Sequence, residues 1–326
     1  MVNRLIDPAR ARVTILGAGS WGSALAALAR QNGHPVRLWS RRSSETLDEV
    51  VADADMLLSA IPMKGVVETV KKLQAIGLPE RTMIVTATKG LDPATTRTPS
   101  QIWEAAFPSH PVVVLSGPNL SKEIDQGLPA ATVVACKDHD VAETVQAIYS
   151  SDVFRVYTNT DPLGTELGGT LKNVIAIASG VCDGLELGTN AKSALLCRAL
   201  IEMIRVGTVL GAEFETFWGL SGLGDLLATC NSALSRNYRV GYALAQGKTL
   251  EEAVAEVQTT AEGVNTTNVL IDLARQQDID VPIAYEVYRL IDGQTNPEQA
   301  VAALMERDLK PESVSTELEE LEMQES

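Results

Sequence analysis

Val13-Thr-Ile-Leu16-Gly17-Ala-Gly19-Ser20-Trp21-Gly22-Ser-Ala-Leu-Ala-Ala-Leu-Ala-Arg30 sets a short apolar strand, a glycine turn and an alanine- and leucine-rich helix in direct succession. Strand, G-x-G-x-x-G and helix together form the fingerprint of a dinucleotide-binding unit. Gly17 permits the tight turn, Gly19 lets a pyrophosphate approach the backbone at the helix N-terminus, and Gly22 lets helix and strand pack closely. Asn32-Gly33 ends that helix, and Val36-Arg-Leu-Trp39 reads as the second strand. An NAD site places an acidic residue about 20 residues beyond the glycines, to bond the ribose 2′-hydroxyl. This chain offers Ser40-Arg41-Arg42 there. Two guanidiniums suit a 2′-phosphate, so NADP(H) is the preferred cofactor and NAD(H) stays open. The alternative is a merely solvated basic strand end.

Further strands follow at Met56 to Ile61, Thr82 to Thr86, Val112 to Leu115, Ala131 to Ala135 and Val153 to Val156, with helices over Lys64 to Ile76 and Ser100 to Ala106. The alternation predicts an α/β fold, a Rossmann-type, doubly wound, mostly parallel sheet. Ligands in such sheets sit beyond the carboxyl ends of the strands, where Lys89-Gly90 and Ser116-Gly117-Pro118-Asn119 fall.

Asp161-Pro162 reads as a helix start, and no alternating strand pattern follows it. The division expected is a dinucleotide-binding domain over 1–158 and an all-helical C-terminal domain over 159–326, which carries substrate and catalysis. Within it, Glu166-Leu-Gly-Gly-Thr-Leu-Lys172-Asn173-Val-Ile-Ala-Ile-Ala-Ser-Gly180 surrounds a single cation with small and apolar residues. Burial lowers a lysine pKa and turns the amine into a proton donor and acceptor near neutral pH. A snorkelling lysine is the competing reading. Asp225, after the glycine-rich Gly219-Leu-Ser-Gly-Leu-Gly224, either caps the next helix or pairs with Lys172, removing an uncompensated buried charge. Ser235-Arg236-Asn237 gathers donors fit for a phosphate, with an exposed helix face as its alternative. Ala261-Glu262-Gly263 opens another helical region, and the tail beyond Lys310 reads as a marginal acidic helix or frayed end.

The net charge of −15 lies in the second half: residues 1–158 hold 16 acidic and 16 basic side chains, residues 159–326 hold 26 and 11. Such a surface repels nucleic acid and anionic lipid; a small phosphorylated molecule stays open as a ligand but needs a local basic pocket. No run reaches the roughly 18 apolar residues of a membrane span, and four scattered cysteines suit a reducing compartment; the expected location is the cytoplasm, without membrane insertion. The three histidines, His34, His110 and His139, all fall in the first half. A histidine base in the second half is thereby excluded, and clustered zinc chemistry is not implied. Lysine is left as the proton partner of hydride transfer.

Gly17-Ala-Gly-Ser-Trp-Gly22, Ala87-Thr-Lys89-Gly90, Ser116-Gly-Pro118, Leu171-Lys-Asn-Val-Ile-Ala-Ile-Ala-Ser-Gly180, Gly222-Leu-Gly-Asp-Leu226, Ser235-Arg-Asn237 and Ala261-Glu-Gly263 together resemble the NAD(P)-dependent glycerol-3-phosphate dehydrogenases of the bacterial type. The resemblance implies interconversion of dihydroxyacetone phosphate and sn-glycerol 3-phosphate, supplying glycerophospholipid synthesis, by a homodimer. It implies dinucleotide contacts from the glycine turn (Gly17, Gly19, Ser20, Trp21, Gly22), Arg41, Arg42, Lys89, Ser121, Arg236, Thr260 and Glu262. It implies substrate contacts from Lys89, Gly117, Asn119, Lys172, Asp225, Ser235, Arg236 and Asn237, with Lys172 the proton acceptor in alcohol oxidation and Asp225 its catalytic partner. Asn119 stands where the family has Ser or Thr, Ser121 where Ala is usual, and Thr260 where an aliphatic residue is common. Only 13 residues separate Arg42 from Met56, a shorter segment than the family's. Two rivals remain on sequence alone. A lysine-using reductase of a branched keto acid would find Ser235-Arg236-Asn237 superfluous, and a non-catalytic NADP(H) sensor would not need a Lys172–Asp225 pair.

Overall fold

The computed structural model describes residues 7–257, 262–309 and 312; the expectations placed on Thr260 and on the acidic tail lie outside the described residues. Seven apolar runs form the strands β1 (Val13–Leu16), β2 (Val36–Trp39), β3 (Met56–Ser59), β4 (Met83–Thr86), β5 (Val112–Ser116), β6 (Ala130–Ala135) and β7 (Phe154–Asn159). They make one sheet in the order β2-β1-β3-β4-β5-β6-β7. All neighbours are parallel except β5 and β6, so the last two strands run against the first five.

Between the strands lie α1 (Ser20–Gln31), α2 (Leu47–Val51), α3 (Val66–Ile76), α4 (Pro99–Ala106), α5 (Ser121–Asp125) and α6 (His139–Tyr149). Successive strand residues serve opposite faces. Val13, Ile15, Met56, Leu58, Met83 and Val85 join the core under α1 and α6. Leu16, Leu57 and Ile84 join the core under α3 and α4. The sheet is therefore covered on both sides, which is why its inner strands β1, β3, β4 and β5 are buried throughout and read as mostly apolar runs. The short segment between Arg42 and Met56 holds α2, closed by a capping box of Thr46 and Glu49. The helix expected from Lys64 begins as one tighter turn, Met63–Gly65, before α3.

After β7 the described chain is helical: α7 (Pro162–Gly184), α8 (Gly188–Val209), α9 (Asp225–Cys230), α10 (Arg236–Ala245), α11 (Leu250–Glu256), α12 (Glu262–Gln276), α13 (Pro282–Ile291) and α14 (Pro297–Met305). Asp161 caps α7 by accepting from the Gly164 N–H (2.8 Å), with Pro162 in the first turn. Almost all of α7 is buried, and α8, α9, α10 and α12 pack around it. Its small residues make this arrangement fit: a β-carbon on Gly180 would stand 2.0 Å from Tyr238 O of α10. A helix apolar on every side must be central, and α7 is the axis of the second core. No described helix is long and apolar enough to cross a membrane.

Candidate active site

The sheet order reverses between β1 and β3, and ligands of open α/β sheets bind beyond the strand ends at such a point. The glycine turn lies there. Gly17, at φ +112°, donates its N–H to Trp39 O (2.8 Å), which joins the turn to the end of β2. A β-carbon on Gly22 would stand 1.9 Å from Gly17 O, so helix α1 can start this close to the strand only with glycine. Gly19 is the N-cap of α1, makes no side-chain cap bond, and has open space where its β-carbon would point. Backbone N–H groups at an uncapped helix start, with nothing above them, fit a pyrophosphate. Ser20 is exposed and Trp21 half-buried on the first turn of α1. Arg41 and Arg42 occupy the exposed turn after β2, one strand away from the glycines, where Arg42 N–H donates to Ser40 Oγ (3.2 Å). The chemistry of the turn fits a nicotinamide dinucleotide.

The second constellation is made of side chains. Lys172 is 6% exposed on α7. Its Nζ donates to Asp225 Oδ1 and to Thr229 Oγ1, both on α9. Lys89, from the loop after β4, donates to the other carboxylate oxygen of Asp225 (2.5 Å). Asp225 thus holds two ammonium groups, one from each half of the chain. Burial, foremost, pulls Lys172 down from 10.5 to about 8; the Asp225 carboxylate opposes that shift and the Lys89 charge adds to it. The snorkelling alternative fails because the Lys172 amine ends on buried partners rather than in water.

Asp225 does not cap its helix. Residues Leu220–Gly224 form a wide helical turn running straight into α9, which leaves Gly224 as N-cap and Asp225 inside the helix. Three glycines in six residues make this uncommon geometry accessible. Thr229 went unread in the sequence. It lies four residues beyond Asp225, on the same helix face, and accepts from Lys172 while donating to Asp225 Oδ1 (3.2 Å).

Around this pair the other residues fall at different distances. A β-carbon on Gly169 would stand 2.3 Å from Ser116 Oγ and 3.6 Å from Lys89 Nζ, so the end of β5 meets α7 beside Lys89. Gly117 packs on Thr132, and Asn119 donates to Thr132 Oγ1 (2.8 Å) while its Oδ1 is buried without a protein partner. Ser121 is partly exposed in the first turn of α5. Ser235-Arg236-Asn237 is the N-terminus of α10, an anion-favouring end. Within it, Ser235 Oγ accepts from Tyr238 N–H (3.2 Å), and Asn237 Oδ1 from Gly263 N–H (3.0 Å). Burial pushes Glu262 up, with Arg236, Lys89 and Lys172 opposing, which sets its carboxyl in the field of all three cations. A separate groove lies on the other face of α9, among Leu196, Trp218, Leu223 and Leu227.

Known proteins carry the same organisation. The family description NAD-dependent glycerol-3-phosphate dehydrogenase N-terminus matches residues 12–48 and 42–142, and its C-terminus counterpart matches residues 161–302. The glycerol-3-phosphate dehydrogenase [NAD(P)+] of Trichormus variabilis is 64% identical over 300 residues, 92% of this chain and 98% of that protein. Its namesake from Synechocystis is 63% identical over 301 residues, 92% of this chain and 95% of that protein. Among solved structures, glycerol-3-phosphate dehydrogenase from Coxiella burnetii superposes with a TM-score of 0.88 at 34% identity, covering 92% of this chain and all of that one.

Proposed function

The chain belongs to the NAD-dependent glycerol-3-phosphate dehydrogenase family, and from that premise we propose that Lys172 is its proton donor and acceptor. The protein is an oxidoreductase that interconverts dihydroxyacetone phosphate and sn-glycerol 3-phosphate with NAD(P)(H). The observation carrying the lysine reading is the buried contact of Lys172 with Asp225 and Thr229.

Bound coenzyme supplies the hydride to the ketone carbon. Lys172, as ammonium, gives its proton to the ketone oxygen as alkoxide character develops there, and takes one back in the reverse direction. Asp225 and Thr229 fix the direction of the amine. With Asp225 neutralising only one of two ammonium groups, Lys89 leaves the crevice cationic for a phosphorylated substrate. The phosphate goes to the α10 N-terminus, where Arg236, Asn237 and Ser235 gather, while Gly117 and Asn119 line the opposite wall. Lys89, Ser121, Arg236 and Glu262 complete the coenzyme side with Ser20 and Trp21. Arg41 and Arg42 favour NADP(H) over NAD(H). The division at 158/159 belongs to the same reading and is supported by the end of the sheet at Asn159 and by the gap between the matched spans 12–142 and 161–302; a homodimeric state and a cytoplasmic location complete it.

The test is NADPH absorbance with dihydroxyacetone phosphate across pH. Ketone reduction needs the ammonium form, so its rate is full below the Lys172 midpoint and falls as pH rises through about 8. A reduction rate that stays flat from pH 7 to 9.5 would remove Lys172 from the role.

A further inference from the structure

Lys89 is carried by the loop from Ala87 to Thr98, and both ends of that loop are fastened to α7. At the near end, Gly90 N–H donates to Thr170 Oγ1 (3.1 Å). At the far end, Glu166 accepts from Ser100 N–H (3.0 Å) and from Ser100 Oγ (2.5 Å) in the first turn of α4. Leu91, between them, is buried in the helical core. Glu166 and Thr170 lie four residues apart and share one face of α7, while Lys172 follows two residues later. The loop bearing one lysine therefore rests on the helix bearing the other.

Glu166 is 2% exposed, and a buried carboxyl is expensive unless its bonds repay the desolvation. α7 does not need it as a cap, and on α4 it accepts the first-turn Ser100 N–H that the helix's own box leaves. α7 has Asp161, and α4 has its own capping box of Thr98 and Gln101. What Glu166 adds is a tie between the halves.

We propose that Glu166 is a positioning residue: as a carboxylate it holds the Lys89 loop on α7 and so sets where the Lys89 ammonium meets Asp225 and the substrate. The proposal rests on the roles given above to Lys89 and Lys172. Burial, foremost, pushes Glu166 up to about 7, with Ser100 and Thr98 opposing and Glu104 of α4 adding to the rise. The carboxylate receives two protons' worth of donation from Ser100. Once protonated, it has an O–H to place, and Ser100 Oγ must turn from donor to acceptor. The tie is complete above about pH 7 and loosens below it.

The experiment is the pH profile of kcat/KM for dihydroxyacetone phosphate with NADPH, in wild type, Glu166→Gln and Ser100→Ala. In wild type an acid limb near pH 7 is expected beside the alkaline limb of Lys172. Glu166→Gln abolishes the acid limb, leaves the alkaline limb and NADPH affinity in place, and lowers kcat/KM on the order of tenfold to a hundredfold, chiefly through KM for the phosphate substrate. Ser100→Ala removes the Oγ–H bond that favours the carboxylate and keeps the backbone N–H bond, so the acid limb moves to higher pH; this variant carries the test if Glu166→Gln fails to fold. An acid limb unmoved in both variants, or in Ser100→Ala alone where Glu166→Gln is not obtained, overturns the proposal and leaves Glu166 a structural tie. Wild-type protein that binds NADPH without oxidising it would end the functional reading itself, and this proposal with it.

Discussion

The glycine turn and the lysine pocket, to which the proposed reading gives coenzyme binding and proton transfer, are built on opposite principles. The turn occupies Gly17 to Gly22, uses backbone N–H groups, and depends on side chains that are absent. The pocket draws Lys89, Lys172, Asp225 and Thr229 from three segments and depends on charged side chains held away from water. A pyrophosphate needs room beside a helix end, which glycine supplies locally. A lysine working near neutral pH needs burial and a partner, which only tertiary packing supplies. Binding and chemistry should therefore separate under mutation.

The sharpest separation is Lys172→Ala. A general acid contributes about 10² to 10⁴ in rate, so kcat should fall by that order while the NADPH dissociation constant stays as in wild type. Folding should survive, because Asp225 keeps Lys89 as its partner and is not left as an uncompensated buried charge. Single-turnover kinetics beside fluorescence titration with NADPH checks both halves of the claim. A kcat within a few-fold of wild type would break the comparison from the chemical side.

Gly22→Ala attacks from the other region. The new methyl would stand 1.9 Å from Gly17 O, so the turn or α1 must move. NADPH affinity should drop on the order of tenfold or more and the melting temperature should fall, since overpacking of this kind costs about 1 to 3 kcal/mol. The Lys172 midpoint near pH 8, read from the remaining activity at saturating NADPH, should not change. A shifted midpoint would mean that the two regions are coupled more tightly than their geometry implies.

The same contrast explains what could be read from the sequence. The turn was legible because strand, glycines and helix lie within 18 consecutive residues, from Val13 to Arg30. The sheet followed from apolar runs at short intervals, although nothing in β6 or β7 announces that they run in the reverse direction. Lys172 and Asp225 could be paired across 53 residues only through the argument that a buried cation needs an anion. The contact of Lys89 with the same carboxylate spans 136 residues and was not legible, because no local pattern encodes how one half docks on the other. Thr229 had a usable signal in its spacing from Asp225, once the start of α9 was known. Glu166 stood in view at the head of the Lys172 stretch, yet its partner Ser100 belongs to the other half.

The smallest expected effect concerns the arginines beside the turn. Arg41 and Arg42 are exposed, so any bond they make to a 2′-phosphate forms at the protein surface and is weakened by salt. A hydrogen bond to a charged group is worth about 1.5 to 3 kcal/mol at best, and surface exposure should bring each arginine toward the lower end. Replacing both by Ala should weaken NADPH binding on the order of tenfold to a hundredfold. NADH binding should be nearly untouched, because the lost partner is the one group that the two coenzymes do not share. Raising the salt concentration should narrow the gap between NADPH and NADH in wild type and leave the double variant unchanged. Equal losses for both coenzymes would instead show that the arginines support the turn itself, and would join to the backbone site a charge dependence that its geometry does not require.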